Sequence, residues 1–222
     1  SIPVMSSKLS MSPRRRSTQS RMALMALMSW RGVEAMLRTQ THLQQRADQI
    51  RSLQAGLSQW QTDLDRVAHL KGIASWDWDG KVLRLTREDV QPGDGVRVVA
   101  WAWRQDTDRP EGGTWLRWQS TPLQTQNAWL EAWQNARTWS QTPTVELRAA
   151  EVSIHPLSGW QLFVHRGGAW TNPLSSDATT GNAADARLPD GVRLVLTLPA
   201  TTPVAGELTL DWVRPTLSGG NP

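Results

Sequence analysis

The stretch HLQQRADQIRSLQAGLSQWQTDLDRV, residues 42–67, decides the fold of this chain. From Leu43 to Val67 its apolar residues recur at steps of four, three, three, four, three, four and three. That spacing is typical of one face of an α-helix, and the intervening Gln, Arg, Asp and Ser residues make the other faces polar. No proline interrupts the surrounding sequence, so we predict one long helix over residues 22–70, with a stop at Gly72.

The heavier apolar residues lie in the second half of this predicted helix, which we therefore expect to pack on a folded domain. The predicted helix–sheet contacts are Ile50, Leu53, Leu57, Trp60, Leu64 and Val67.

The rest of the chain, residues 71–222, has the pattern of a β-rich globular domain. Short runs of apolar and β-branched residues are separated by turn residues, among them DWDG at 77–80 and QPGDG at 91–95. One amphipathic helix interrupts them, with Thr121 predicted as its cap and Pro122 as its first residue. The predicted class is α+β: a long N-terminal helix on a mostly antiparallel sheet with one inserted short helix. The predicted strands are 82–86, 96–103, 114–119, 145–154, 160–165, 191–199 and 207–213.

The N-terminus carries most of the basic charge. Residues 1–40 hold seven of the 24 Lys and Arg residues and one of the 20 Asp and Glu residues, so the remainder balances 17 basic against 19 acidic residues. A nucleic-acid binder carries its basic stripe on the folded surface, so we expect no nucleic-acid partner. Residues 1–21 are polar and basic, with two prolines, and are predicted to be a disordered leader. A basic leader beside the apolar run 22–30 is typical of a membrane-orientation signal.

Residues that could carry catalysis or hold a metal are few. The chain has no cysteine, and it contains no phosphate loop, dinucleotide fingerprint, nucleophile elbow or zinc-binding helix motif. The histidines His155 and His165 could be neighbours across a strand pair, but no carboxylate pattern accompanies them. The sequence therefore predicts no enzyme, no cofactor and no metal.

The 14 tryptophans allow a second interpretation. Tryptophans in strands usually pack in the core, yet a solvent-exposed, coplanar set would suit a carbohydrate- or envelope-binding module. The residues that would form such a set are Trp101, Trp103, Trp115 and Trp118.

A basic leader, an apolar helix start, a long amphipathic helix and a β-domain together resemble the layout of type IV pilins and type II secretion pseudopilins. The stretch from Ser29 to Val67 resembles the first helix of the minor pseudopilin J. The segments WQLFVHRGGAWTNPLSS (160–176) and LPDGVRLVLTLP (188–199) are similar to the same family. The resemblance covers residues 22–215 and implies a pilin-like fold.

The resemblance implies a structural subunit of the pseudopilus tip that supports protein export across the outer membrane. Its expected partners are the I and K minor pseudopilins and the major pseudopilin, and its expected place is the Gram-negative inner membrane with the domain in the periplasm. A type IV pilus minor pilin is the alternative within the family. The residues expected to contact partner helices are Met22, Leu24, Met25, Leu27, Met28, Val33, Met36, Leu37 and Leu43.

The family's prepilin signature has no counterpart in this sequence. The family has a glycine at its cleavage site and about 20 apolar residues after it, whereas here Gln19, Ser20 and Arg21 run directly into Met22. The nine-residue run 22–30 covers about 14 Å of helix, against about 30 Å of hydrocarbon. We therefore expect no identifiable cleavage site and a truncated membrane anchor.

Overall fold

The computed structural model describes residues 14–89, 93, 95–174 and 188–215, with the side chains of all but 14–21, 23, 24, 109 and 110. Its first element, α1, is the long helix, Arg14–Asp65. Eight residues that we predicted to be disordered, 14–21, are thus helical, and the rest of the predicted leader lies outside the described residues.

The helix ends at Asp65, earlier than predicted, because the chain then pairs with a strand. The amide of Ala68 donates to the Thr86 carbonyl at 2.8 Å, and the Glu88 amide donates to the Arg66 carbonyl at 2.9 Å. Val67 forms an isolated bridge with Arg87. The apolar spacing that continued to Val67 therefore belongs to a helix in its first part and to an extended segment at its end.

Contacts divide the chain into two units, residues 1–47 and 48–222. The boundary between these units lies inside α1. The described part of the first unit is helical throughout. The second unit contains the last turns of α1 together with all the strands.

The strands of the second unit form two antiparallel sheets, where the sequence predicted one. The five-stranded sheet has the order β1-β2-β3-β4-β5, and the four-stranded sheet has the order β7-β6-β8-β9. The predicted turn at 77–80 is partly wrong, because Trp76–Trp78 pairs with the next strand. The strands are β1 Trp76–Trp78, β2 Val82–Glu88, β3 Val96–Asp106, β4 Arg109–Gln119, β5 Glu151–Leu157, β6 Gly159–Arg166, β7 Ala169–Thr171, β8 Gly191–Leu198 and β9 Gly206–Val213.

Two short helices, rather than one, interrupt the strands. The first, α2, is Gln126–Gln141, and its cap is Thr125 rather than Thr121. The predicted start was too early because Leu123 still exchanges backbone hydrogen bonds with Val96, at 3.0 and 2.8 Å. The strand predicted over 145–154 was wrong in its first half.

That half forms α3, Val145–Ala149, where the Thr144 hydroxyl accepts a hydrogen bond from the Leu147 amide at 3.4 Å. A threonine cap favours a first helical turn over an extended chain, because it satisfies an amide that the turn leaves without a partner. The strand β5 begins only at Glu151.

The central strands of the five-stranded sheet, β2 and β3, are buried on both faces. One face, with Leu83, Val99 and Trp101, shares a core with the end of α1 and with the four-stranded sheet. The opposite face, with Val98 and Ala100, packs against the tryptophans of α2. The alternation of strand side chains sends neighbouring residues of β3 into different cores. This explains why β3 has a continuous apolar run rather than a polar face.

Gly56 marks the closest approach of α1 to the sheet. A Cβ atom at this position would lie 2.2 Å from Ile154 Cγ2 and 3.1 Å from Trp115 Cζ3, whereas a Cβ at Gly32 would meet nothing within 4 Å. Helix propensity favours alanine over glycine at both positions by about 1 kcal/mol. Only at Gly56 does the packed neighbour oppose it.

We expect Gly56→Ala to lower the free energy of unfolding by about 1–3 kcal/mol, because it overpacks the contact with Ile154 and Trp115. Gly32→Ala is the matched control and should raise the helical circular dichroism signal without loss of stability. Urea unfolding of both variants measures the difference. Equal stability of the two variants would contradict a close helix–sheet contact at Gly56.

Candidate functional site

The predicted partner-contact residues are exposed apolar side chains that lie on several faces of the N-terminal part of α1. Each one whose side chain is described is more than half exposed, from 55% at Val33 to 73% at Met28. Trp30, which the sequence analysis did not select, is 70% exposed and lies in the same stretch. The side chain of Leu24 lies outside the described residues. We define the assembly stripe as Met22, Met25, Leu27, Met28, Trp30, Val33, Met36, Leu37 and Leu43.

The assembly stripe is unusual because large apolar side chains follow one another on a solvated helix. Single exposed apolar residues are ordinary, but contiguous ones mark surfaces that bind another protein or a membrane. Met36 and Leu43 also continue in sequence, at seven-residue steps, a series that runs through Ile50 and Leu57 to Leu64. Its last two members are covered by the sheets.

The residues predicted for helix–sheet packing mostly lie in the core. Leu53, Trp60, Leu64 and Val67 are buried, and Leu57 is half-buried against the same cluster. Ile50 differs, because it is 36% exposed. The covered part of α1 thus begins one turn later than predicted.

The end of α1 is fixed by Asp63, a residue whose role no sequence motif indicates. Its carboxylate is fully buried and accepts five hydrogen bonds from four side chains. Arg117 donates through Nε to Oδ2 at 2.7 Å and through Nη2 to Oδ1 at 3.0 Å. Arg87 Nη1 donates to Oδ1 at 2.7 Å, and Trp101 Nε1 donates to Oδ2 at 3.0 Å. The fifth donor is Gln59 Nε2, one turn earlier on α1, at 2.8 Å.

This arrangement, the Asp63 anchor, joins α1 to three strands of the five-stranded sheet. Arg87 belongs to β2, Trp101 to β3 and Arg117 to β4. A buried carboxylate is costly unless its oxygens are hydrogen-bonded and its charge is paired, and here both conditions hold. One feature of the sequence, short of a motif, indicates the anchor: Asp63 lies between the core-facing residues Trp60 and Leu64.

Two further carboxylates, Asp65 and Asp89, also have structural partners. Asp65 accepts from Trp212 Nε1 at 2.7 Å, so it does not share a site with Asp63. Asp89 forms an ion pair with Arg97 at 2.8 Å.

The tryptophan set proposed for sugar binding is buried. Trp101 and Trp115 are fully buried, Trp118 is 4% exposed, and Trp103 is half-buried with its indole N–H bonded to the Leu157 carbonyl. Trp101 and Trp115 lie with ring centroids 4.7 Å apart inside the core shared by the two sheets. The hypothesis of an open, coplanar tryptophan face on these strands is therefore wrong, because both faces of the sheet are covered.

The two histidines considered for a metal lie on different sheets, His155 on β5 and His165 on β6. Among the described residues, no group of three or more His, Cys, Asp or Glu residues is placed to hold a metal ion. The DWDG sequence makes a turn contact instead: Asp79 Oδ1 accepts from the amides of Lys81 and Val82, both at 2.9 Å.

No helix within the described residues is long and apolar enough to cross a membrane.

Comparisons with known proteins do not place the chain in a family. No family model matches its sequence, and no curated protein matches it significantly.

The Asp63 anchor gives a direct prediction. Asp63→Asn keeps the shape but leaves two buried guanidinium groups without their counter-charge. We expect it to lower the free energy of unfolding by about 3–5 kcal/mol. The matched control is Asp48→Asn, which removes an exposed ion pair with Arg51 and should cost less than about 1 kcal/mol. Urea denaturation checks both, and a small loss for Asp63→Asn would refute the role of the anchor.

A second prediction concerns pH. His155 is 3% exposed, neither ring nitrogen has a hydrogen-bond partner among the described residues, and burial lowers its pKa. Below the ordinary histidine value of about 6.5, the unfolded chain binds a proton that the folded imidazole does not take. The free energy of unfolding should therefore be unaffected at pH 8 and fall as the pH decreases below about 6.5.

His155→Leu should reduce this fall in stability by up to about 1.4 kcal/mol per pH unit, the limit for one proton. The exposed His42→Leu is the control and should retain it. Urea unfolding between pH 8 and pH 5 measures the slopes. Parallel slopes for the wild type and His155→Leu would show that another group causes the dependence.

Proposed function

We propose that this protein is a structural subunit of a pilin-like filament, specifically a minor pseudopilin of the J type in a type II secretion system. The observation that carries the proposal is the assembly stripe on a helix whose last turns are buried in a β-rich unit. The order of elements, one long helix followed by antiparallel strands, is consistent with a pilin-like fold.

The physical mechanism is helix packing. Burying one Leu or Met side chain stabilises an interface by about 1.5–3 kcal/mol, so several stripe residues together can hold a helix–helix contact. The stripe is flanked by polar groups that are satisfied within α1, such as the Thr39 hydroxyl bonded to the Ala35 carbonyl at 2.9 Å. A partner helix could therefore cover the apolar residues without desolvating unpaired donors.

The expected partners are the I and K minor pseudopilins and the major pseudopilin. In this proposal the β-rich unit lies in the periplasm, the N-terminal end faces the inner membrane, and the protein acts by assembly rather than catalysis.

The test is binding of the full chain to the periplasmic domains of the I and K subunits from the same genome, measured by size-exclusion chromatography with mass analysis and by titration. We expect a complex that Leu43→Asp weakens at least tenfold, which corresponds to about 1.4 kcal/mol, because it places a charge in the apolar contact. Leu43 is 61% exposed in the free chain, so the substitution should not impair folding.

The matched control is Gln45→Asp, which adds the same negative charge at an exposed position of α1 outside the stripe. It should change the affinity less than twofold. Equal effects of the two variants, or the absence of a complex, would overturn the assignment to a secretion pseudopilus. The same titration with minor pilins of a type IV pilus separates the two members of the superfamily.

A further inference from the structure

A cleft of about 650 Å³ opens in the second unit between α2, α3 and the five-stranded sheet. Its volume falls within the range of protein ligand pockets, about 300–1,000 Å³. Neither the Asp63 anchor nor the assembly stripe accounts for it. The residues just before β5 form α3. Because they are helical, β5 does not extend further along β4, and the cleft lies at this point.

At the cleft, β4 extends one residue beyond its pairing with β5. On one side Gln119 pairs with Val99 of β3, but on the other side the last pair is Trp118 with Glu151. Gln119 lines the cleft one residue beyond that pair. An exposed strand edge offers backbone hydrogen-bonding groups to an extended peptide, which is a common mode of peptide recognition.

The cleft is lined by several small side chains and by one aromatic ring. Ala128 and Ala132 of α2 face the cleft together with Ala149 and Ala150, which end α3. Trp118 lines it as well, is 4% exposed, and has an indole N–H without a hydrogen-bond partner among the described residues.

Among the described residues, the charged side chains that line the cleft without an ion-pair partner are acidic. Glu131 of α2 and Glu146 of α3 line it, are exposed, and form no ion pair within the described part of the chain. The lining cations are committed elsewhere, Arg97 to Asp89 and Arg117 to Asp63. Hydrogen bonds from its own backbone and from Thr144 lower the pKa of Glu146, so it is ionised at neutral pH.

We propose that this cleft binds an extended segment of a partner protein that carries an arginine between small apolar residues. The segment lies along the β4 edge at Gln119, and its guanidinium group faces Glu131 and Glu146. The alanine walls leave room for the backbone of the segment. The proposal concerns a different surface from the assembly stripe and does not depend on the function proposed for it.

The test uses the full chain and two fluorescently labelled peptides, Ala-Val-Arg-Val-Ala with blocked ends and the same peptide with citrulline in place of arginine. Citrulline keeps the shape and removes the charge. Fluorescence anisotropy should show at least tenfold tighter binding of the arginine peptide at low salt, and the difference should shrink as salt is added. Equal binding of the two peptides, or no saturable binding at millimolar protein, would overturn the proposal.

Three variants locate the site. The double variant Glu131→Gln with Glu146→Gln should weaken arginine-peptide binding at least fivefold, since it removes the charges but leaves the cleft shape. Glu207→Gln, an exposed carboxylate on β9, is the matched control and should leave binding unchanged. Ala128→Phe should fill part of the cleft and weaken the binding of both peptides. Binding that survives the double variant or Ala128→Phe would place the peptide elsewhere.

Discussion

The rest of the structure depends on the buried carboxylate of Asp63. It is the point at which a helix that begins far from the strands in sequence is attached to β2, β3 and β4 together. Apolar packing is not directional, so by itself it allows several registers of the helix on the sheet. A buried carboxylate that must bond two guanidinium groups and an indole N–H allows one register only. The anchor therefore sets which turns of α1 are covered and which remain exposed.

The core around the anchor explains the tryptophan content. Trp60 of α1 contacts Trp101, Trp115 and Trp160 at ring-centroid distances of 5.4–6.3 Å, so it links the five-stranded sheet to β6 of the four-stranded sheet. Aromatic rings fill such an irregular space with few rotatable bonds. The tryptophans of this core therefore pack between two sheets and a helix, whereas Trp30 of α1 is exposed.

A seven-residue series of apolar residues, from Met36 to Leu64, runs through both parts of α1, but the two parts differ in environment. The glycine at 56 allows the helix to approach the sheet closely, whereas the glycine at 32 has open space around it. Met36 and Leu43 have the apolar character of Leu57 and Leu64 without their burial. The exposed residues Met36 and Leu43 thus belong to the same series as residues buried in the second unit. In the proposed assembly, a partner helix covers them.

The sequence by itself determined most of the long helix and most of the strands, because the strands follow from a local period of 2 and the helix from a period of 3.6 and the absence of proline. It did not determine the two-sheet arrangement, the helix α3 or the start of α2 at Gln126, since these depend on which segments find pairing partners. The Asp63 anchor and the cleft beside α3 were decided only in the tertiary structure. Their residues come from elements far apart in the chain, and no local pattern specifies which arginine a carboxylate meets or where a strand loses its neighbour.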